Sequence, residues 1–308
     1  MKNSQYPPVD SLEKLKGRID RFFKTTPIRP VGEIQLHLDL PTQEQNDHHF
    51  NHKATNFINS LCDAIPSCEL YLFGGVLRDI ALLGHKGFNS DIDIVVDGDW
   101  LNCEKHIQAW GATRNKFGGY RLYVNKWPID IWSAKKTWAI SQGLVKYNGI
   151  ASLVNTTVLN WDAILMNWKT KDFICKDGYL ESIKQRRMDL ILEENPNPLG
   201  MAVRVFRHLC MKEPSQITLK TINYLAKCTA NYSYDELKKK ELDSYKNSVI
   251  EYAYYRWSEL LMHAEKLNPP ERIYIATESL KHEGISLSGL QEDWCIEDTP
   301  NYVHIHNT

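Results

Sequence analysis

Apolar positions are unevenly spaced along this chain, and their rhythm changes from one stretch to the next. Residues 1–50 are polar and irregular, apart from Ser11-Leu-Glu-Lys-Leu-Lys, which reads as a capped helix start. Gln43 to His52 is too hydrophilic for a core element and predicts a loop, leading into a helix around Ala54–Ile65. From Glu69 to Trp132 the pattern shortens. Leu70-Tyr-Leu-Phe is a brief apolar run ending in Gly74-Gly75, and Val76–Leu83 has helical spacing. Asp91-Ile-Asp-Ile-Val-Val alternates as a strand does. A helix near Glu104–Trp110 follows, then Tyr120-Arg-Leu-Tyr-Val and Ile129-Asp-Ile-Trp as two strands around a turn. From about 133 to 215 the spacing is helical, with a break at Asn195-Pro-Asn-Pro. From about 216 to 290 it is helical and rich in Lys, Tyr and Leu, as in Tyr234–Met262, with a break at Pro269-Pro270. Gln291–Thr308 is acidic, then His-containing, and reads as an extended tail.

The implied class is α+β: a head with a small mixed sheet, followed by a helical domain. The boundaries follow the changes of rhythm. They give an N-terminal extension at 1–53, the head at 54–140, a helical region at 141–215, a C-terminal helical domain at 216–290 and a tail at 291–308. A length of 308 residues suits about two domains. Lys and Arg number 37 against 38 Asp and Glu, a net charge of -1, so a whole-surface coat for nucleic acid or membrane is excluded while a local basic patch is not. Hydrophobic residues at 43% and charged residues at 24% exclude wholesale disorder. No apolar run approaches the ~20 residues of a membrane-crossing helix, and Met1–Asp10 has no signal-peptide core. The 7 cysteines are scattered without a C-x-x-C pair, which indicates neither zinc nor a redox pair but reduced, mostly buried thiols and a cytoplasmic location.

The chemistry-bearing residues sit in the head. Asp91 and Asp93 stand two apart, so on a strand both face the same way, and Ile92, Ile94 and Val96 face the core. Two like charges held together call for a cation, and all-oxygen ligation suits Mg²⁺, with Mn²⁺ as a substitute. A third carboxylate, Asp130, lies in Pro128-Ile-Asp-Ile-Trp, again on a strand. Three carboxylates on adjacent strands can hold two metals about 3.5–4 Å apart, the arrangement for in-line displacement at phosphorus. Upstream, a strand runs through Gly74-Gly75 into a helix carrying Arg78. Absent side chains let backbone N–H groups approach an anion, the helix N-terminus favours it, and Arg78 can add a bidentate contact. Each element alone has a bland reading: a solvated pair of strand carboxylates, a turn, an exposed aspartate. Their conjunction in this order points to a triphosphate cradle beside a metal site, the requirement of nucleotidyl transfer.

Gly74-Gly-Val-Leu-Arg-Asp-Ile-Ala-Leu-Leu-Gly84 followed by Ser90-Asp-Ile-Asp-Ile-Val-Val resembles the head of CCA-adding enzymes and bacterial poly(A) polymerases, in the polymerase-β nucleotidyltransferase superfamily, over about residues 54–210. The resemblance implies that 54–140 is the catalytic head and 141–215 contributes to nucleotide binding. It implies Asp91, Asp93 and Asp130 as catalytic metal ligands for two Mg²⁺ ions. It implies Gly74, Gly75 and Arg78 as triphosphate contacts, Asp79 as the residue that orients Arg78 or the loop, and Asp162 and Arg204 as further nucleotide-binding residues. The metals would activate an acceptor hydroxyl, so no side-chain nucleophile is needed.

Departures from the family pattern narrow the reading. Where the family has an Arg-Arg-Asp triplet for the ribose, this chain has Asn160-Trp-Asp162, which leaves a deoxynucleotide open. Where the family has its base-reading Glu-Asp-x-x-Arg helix, Asn197 and Gly200 stand in for the Asp and the first Arg, while Arg204 and Arg207 remain. A C-to-A switch is therefore not expected. About 90 residues after 215 are short for a tRNA-binding arm. Lys238-Lys-Lys240 reads as a solvated helix face, Tyr252, Tyr254, Tyr255 and Trp257 as packing aromatics, and His48, His49 and His52 as a solvent-exposed loop. Tyr302, in Asp298-Thr-Pro-Asn-Tyr-Val-His, offers a hydroxyl on the tail. Size, altered triplet and tail together resemble the antiphage Hailong-type nucleotidyltransferases. That resemblance implies a short single-stranded oligodeoxyadenylate made from deoxy-ATP, primed on Tyr302, and a partner effector held in check by it. Tailing of an RNA 3′ end, transfer of a single nucleotide to a protein or small molecule, and a nucleotide-sensing pseudoenzyme are the rival expectations.

Overall fold

Short apolar runs and alternation become a sheet, and the longer amphipathic stretches cover it. The computed structural model describes residues 6–25, 54–84, 87–88, 90–124, 127–212, 214, 216–251, 254 and 302–304. The described residues divide into two units, one within 6–184 and one within 185–304. The architecture is α+β, as expected.

The first unit is built on a seven-stranded mixed sheet. Its strands are β1 (Glu69–Phe73), β2 (Ile92–Asp97), β3 (Thr113–Arg114), β4 (Tyr120–Val124), β5 (Trp127–Ser133), β6 (Ile164–Asn167) and β7 (Phe173–Cys175). Their order across the sheet is β3-β4-β5-β2-β1-β6-β7. β2 and β5 run parallel, while the other neighbours are antiparallel. The helices α1 (Leu12–Thr25), α2 (Ala54–Ala64), α3 (Gly75–Leu83), α4 (Trp100–Ala109), α5 (Trp138–Ser141) and α6 (Tyr179–Lys184) complete the unit. The Ser11 hydroxyl accepts the Lys14 N–H at 3.2 Å, the cap that the sequence announces.

α1 anchors the functional end of the sheet. Its Phe22 meets Phe88 and Trp127 edge-on at 5.1 and 5.7 Å, and those two rings stack at 5.0 Å. All three are buried and pin the start of β5. Arg18 of α1 donates to the Ile80 and Ala81 carbonyls at 3.3 and 3.2 Å, satisfying the last turn of α3. The element that carries Gly75 and Arg78 is thereby held at both ends.

Two expectations need correction. β6 and β7 lie in a stretch read as helical. Ile164-Leu-Met-Asn is buried along its whole length, and so short an apolar run carries no readable period. It becomes a strand because it completes the hydrogen bonding of β1.

The second concerns the helical pattern over Tyr234–Met262, which is interrupted: the helix that starts at Tyr234 ends at Tyr245, where Lys246 takes a left-handed φ of 60° and its N–H caps the Leu242 carbonyl. In the second unit, β8 (Arg187–Met188), β9 (Gln216–Thr218) and β10 (Tyr302–His304) form a three-stranded sheet, accompanied by α7 (Pro198–Met211), α8 (Leu219–Asn231) and α9 (Tyr234–Tyr245). Arg207 of α7 is buried, donates to Glu241 of α9 at 2.5 Å and lies 4.0 Å over the Tyr245 ring. Tyr254 packs on Phe206 and Tyr234 and donates to the Tyr232 carbonyl at 2.6 Å, so it is a core residue of this unit. The six cysteines among the described residues are free thiols, four of them buried. Among the described residues, no helix is long and apolar enough to cross a membrane.

Candidate active site

Strand register brings the carboxylates together. Asp93 sits opposite Asp130 in the parallel β2–β5 ladder. Asp91 immediately precedes β2, two residues from Asp93, and is buried. Two adjacent strands, β2 and β5, thus deliver three carboxylates to one region of the sheet. Next to them, β4 places Arg121 opposite Asp130 in the antiparallel ladder.

Arg121 was not singled out in the sequence, yet it is central here. Its side chain is 6% exposed. Nε donates to Asp130 Oδ1 at 2.7 Å, and Nη2 donates both to Asp91 Oδ2 at 2.7 Å and to Asp130 Oδ2. Burial alone would lower the pKa of this guanidinium. The hydrogen bonds and charge of Asp130, then the charge of Asp91, outweigh that and raise it. The signal available in the sequence was an arginine inside the apolar run Tyr120–Val124, since arginine is seldom buried without a carboxylate partner.

Gly74 and Gly75 join β1 to α3 in a turn that no side chain caps. The Gly74 N–H donates to the Ile164 carbonyl at 3.1 Å, and its own carbonyl starts α3 by accepting the Arg78 N–H at 2.9 Å. Gly74 has φ 59° and ψ -111°, a backbone conformation that residues with a Cβ rarely adopt. Gly74→Ala is therefore expected to cost about 1–3 kcal/mol, measured by chemical denaturation. An unchanged midpoint would show that this turn relaxes freely. At Gly75 a Cβ would lie 3.2 Å from the Ser90 hydroxyl and 3.6 Å from Arg78 Nη2. The mouth of the turn is therefore lined by a hydroxyl and a guanidinium N–H, with the N-terminus of α3 beside them. Ser90 is a second residue that the sequence reading did not single out.

Arg78 is buried, and most of its guanidinium is committed to the protein. Nε donates to Asp79 Oδ1 at 2.8 Å, and Nη1 donates to Asp162 Oδ1. Burial alone would lower its pKa, but the charges of Asp162 and Asp79 outweigh this and raise it. Asp162 thus ties the β6 edge to α3, and Trp161 beside it is fully buried. The Trp161 carbonyl accepts the Tyr179 hydroxyl at 3.2 Å.

The remaining predicted residues lie in the second unit. Arg204 is half-buried on α7, and its carbonyl accepts the His208 Nδ1–H at 2.8 Å. Asn197, which stands where the family has an Asp, is the N-cap of α7, its Oδ1 accepting the Gly200 N–H at 3.1 Å. The backbone of Tyr302–His304 is β10, antiparallel to β9 with Tyr302 opposite Thr218. Lys238 stands 3.6 Å from Glu251 as an exposed pair. His48, His49, His52, Tyr252, Tyr255 and Trp257 lie outside the described residues.

The donor set of the cluster is Asp91, Asp93 and Asp130. It is all oxygen, with three carboxylates against one guanidinium, which suits a hard cation such as Mg²⁺ or Mn²⁺. Arg121 stands between Asp91 and Asp130, and among the described residues no three His, Cys, Asp or Glu side chains close on a single metal-sized point. The residue types and their register fit the group.

No protein-family model matches the chain, and no curated protein sequence matches it. Among solved structures, a CCA-adding enzyme of Thermotoga maritima complexed with tRNA is 16% identical, with a TM-score of 0.49, covering 75% of this chain and 56% of that one. A CCA-adding enzyme with CTP is 17% identical at a TM-score of 0.49, covering 75% of this chain and 57% of that one. A tRNA nucleotidyltransferase with a primer tRNA and an incoming ATP analogue is 15% identical at 0.44, covering 72% and 75%. The chain spans little more than half the length of the first two.

Proposed function

We propose that this chain is a metal-dependent, template-independent nucleotidyltransferase. The observation that carries the reading is the pairing of Asp93 with Asp130 in the β2–β5 ladder, with Asp91 adjacent, in the same unit as the glycine turn at the N-terminus of α3. In the reaction, an acceptor hydroxyl oxygen forms a bond to the α-phosphorus, the α–β bridging bond breaks, pyrophosphate leaves and the hydroxyl proton is lost. Asp91, Asp93 and Asp130 would hold Mg²⁺ or Mn²⁺, which when bound supplies the positive charge that this step demands. The Gly75 turn, Ser90 and Arg78 Nη2 would hold the triphosphate. Arg78, fixed by Asp79 and Asp162, keeps the turn in shape.

The narrower reading concerns the acceptor. We assign it to the Tyr302 hydroxyl, with deoxy-ATP as donor, a short single-stranded oligodeoxyadenylate as product, and a role in antiphage defence with an effector protein as partner. The core tryptophan in place of an arginine pair supports a relaxed sugar requirement. The rival acceptor is an RNA 3′ end.

The test is mass spectrometry of products formed from all common NTPs and dNTPs with Mg²⁺, with and without tRNA, for the wild type and Tyr302→Phe. A deoxyadenylate ladder attached to wild-type protein and lost in Tyr302→Phe is expected. Products that appear only with RNA would overturn the tyrosine acceptor and leave nucleotidyl transfer standing. No pyrophosphate released under any condition would overturn both.

A further inference from the structure

Arg121 occupies an unusual position for a residue in a metal site. One nitrogen, Nη2, touches an oxygen of Asp91 and an oxygen of Asp130, while Nε takes the other oxygen of Asp130. The two carboxylates therefore lie on either side of a single monocationic group, within two hydrogen-bond lengths of each other. That is where a cation shared by Asp91 and Asp130 would be placed. The guanidinium is almost fully buried, so its charge is poorly screened and its hydrogen bonds are strong. It is also fixed by the fold, because Arg121 and Asp130 are register partners in β4 and β5.

We propose that Arg121 is a built-in counter-cation that holds Asp91 and Asp130 together in the metal-free protein and competes with the metal for their oxygens. It is a positioning residue, acting through the carboxylates. Two physical arguments carry this. Buried carboxylates held this close would repel without a positive charge between them, so the metal-free site needs one. A divalent cation entering the same space would be repelled by the guanidinium until that group turns away. The exposed side of β4 at Tyr123, two residues along on the same face, marks the open direction. Metal binding would thus be coupled to release of Arg121, and the site would load only where the metal, with its triphosphate, outbids one arginine. The inference rests on the metal-dependent reading above.

The sign of one measurement decides it. A group that merely supports metal ligands loses about 10–100-fold of metal affinity when it is removed. A competing group gives the opposite result. Mn²⁺ would be titrated into wild-type protein, Arg121→Met and Arg121→Lys, with free Mn²⁺ read by electron paramagnetic resonance. Thermal unfolding would be followed with and without Mn²⁺. Arg121→Met is expected to bind Mn²⁺ about tenfold tighter or more, since removal of one unscreened like charge is worth at least one pKa-unit equivalent. Its metal-free melting temperature is expected to fall, and Mn²⁺ is expected to restore it by a larger shift than in the wild type. Arg121→Lys keeps a charge but cannot span both carboxylates, so it should lie between the two. It serves as the reporter if Arg121→Met does not fold. Unchanged or weaker Mn²⁺ binding in the variants, with binding intact in the wild type, overturns the competition alone. No Mn²⁺ binding by any of the three overturns it together with the metal-dependent reading.

Discussion

Asp93→Asn is expected to lower nucleotidyl transfer at least about a thousandfold, with the fold unchanged. The substitution is nearly isosteric and lies at the second residue of β2, half-buried, between well-packed neighbours Ile92 and Ile94. The backbone ladder to β1 and β5 does not depend on the side chain. The charge does matter. Asp93 is the register partner of Asp130 across the ladder, and its charge is one of three carboxylate charges that would attract a divalent cation. An amide contributes one neutral oxygen and two N–H donors, which repel a metal. Losing a metal's share of transition-state stabilisation costs several kcal/mol, and about 4 kcal/mol corresponds to roughly a thousandfold in rate. Pyrophosphate release under saturating nucleotide and Mg²⁺ measures it, alongside circular dichroism and a melting curve. The melting temperature is expected to stay level or to rise, because one of three like charges is removed. Retention of more than a tenth of the activity in a folded variant would remove Asp93 from the catalytic set and with it the core of the functional reading.

How much of this could be read from the residues alone depends on sequence distance. β1, the glycine turn and α3 follow one another within a few residues, and their order, boundaries and turn chemistry were all legible. The alternation of β2 and β5 was legible too, and it put Asp93 and Asp130 on strands. That β2 and β5 are neighbours is a property of the sheet order, which periodicity does not encode. Arg121 was passed over for the same reason: its partner Asp130 is fixed by the β4–β5 register, and its second partner Asp91 lies 30 residues away. β6 was misread because four buried apolar residues look the same on a strand as on a buried helix. Asn197, a departure from the base-reading motif, is an N-cap, and Asn followed by Pro198 at the first helical turn is the ordinary signal of one.

Arg78 gives the second large effect, because two functions compete for one guanidinium. In the sequence it reads as a phosphate ligand one turn into a helix. In the structure two of its three nitrogens are taken by Asp79 and Asp162, and the side chain is almost completely buried. Removing the cation leaves Asp79, which is 1% exposed, and Asp162 without compensation. Breaking a buried pair in this way costs about 3–5 kcal/mol. In a unit of this size, that lowers the melting temperature by roughly 6–20 °C. Arg78→Leu is therefore expected to melt at least about 6 °C below wild type with no nucleotide present. Because Asp162 is then a buried unpaired charge, adding Asp162→Asn should recover part of the loss, making the double variant less destabilised than the two single effects together. A purely phosphate-binding arginine predicts something different: unchanged melting of the free protein, a raised KM for the nucleotide, and no coupling to Asp162. The two outcomes can be separated in a single set of melting curves on the ligand-free proteins. The coupled outcome would mean that the glycine turn is held in shape from behind, by an ion cluster joining α3 to the β6 edge. The phosphate site would then be formed before any nucleotide arrives.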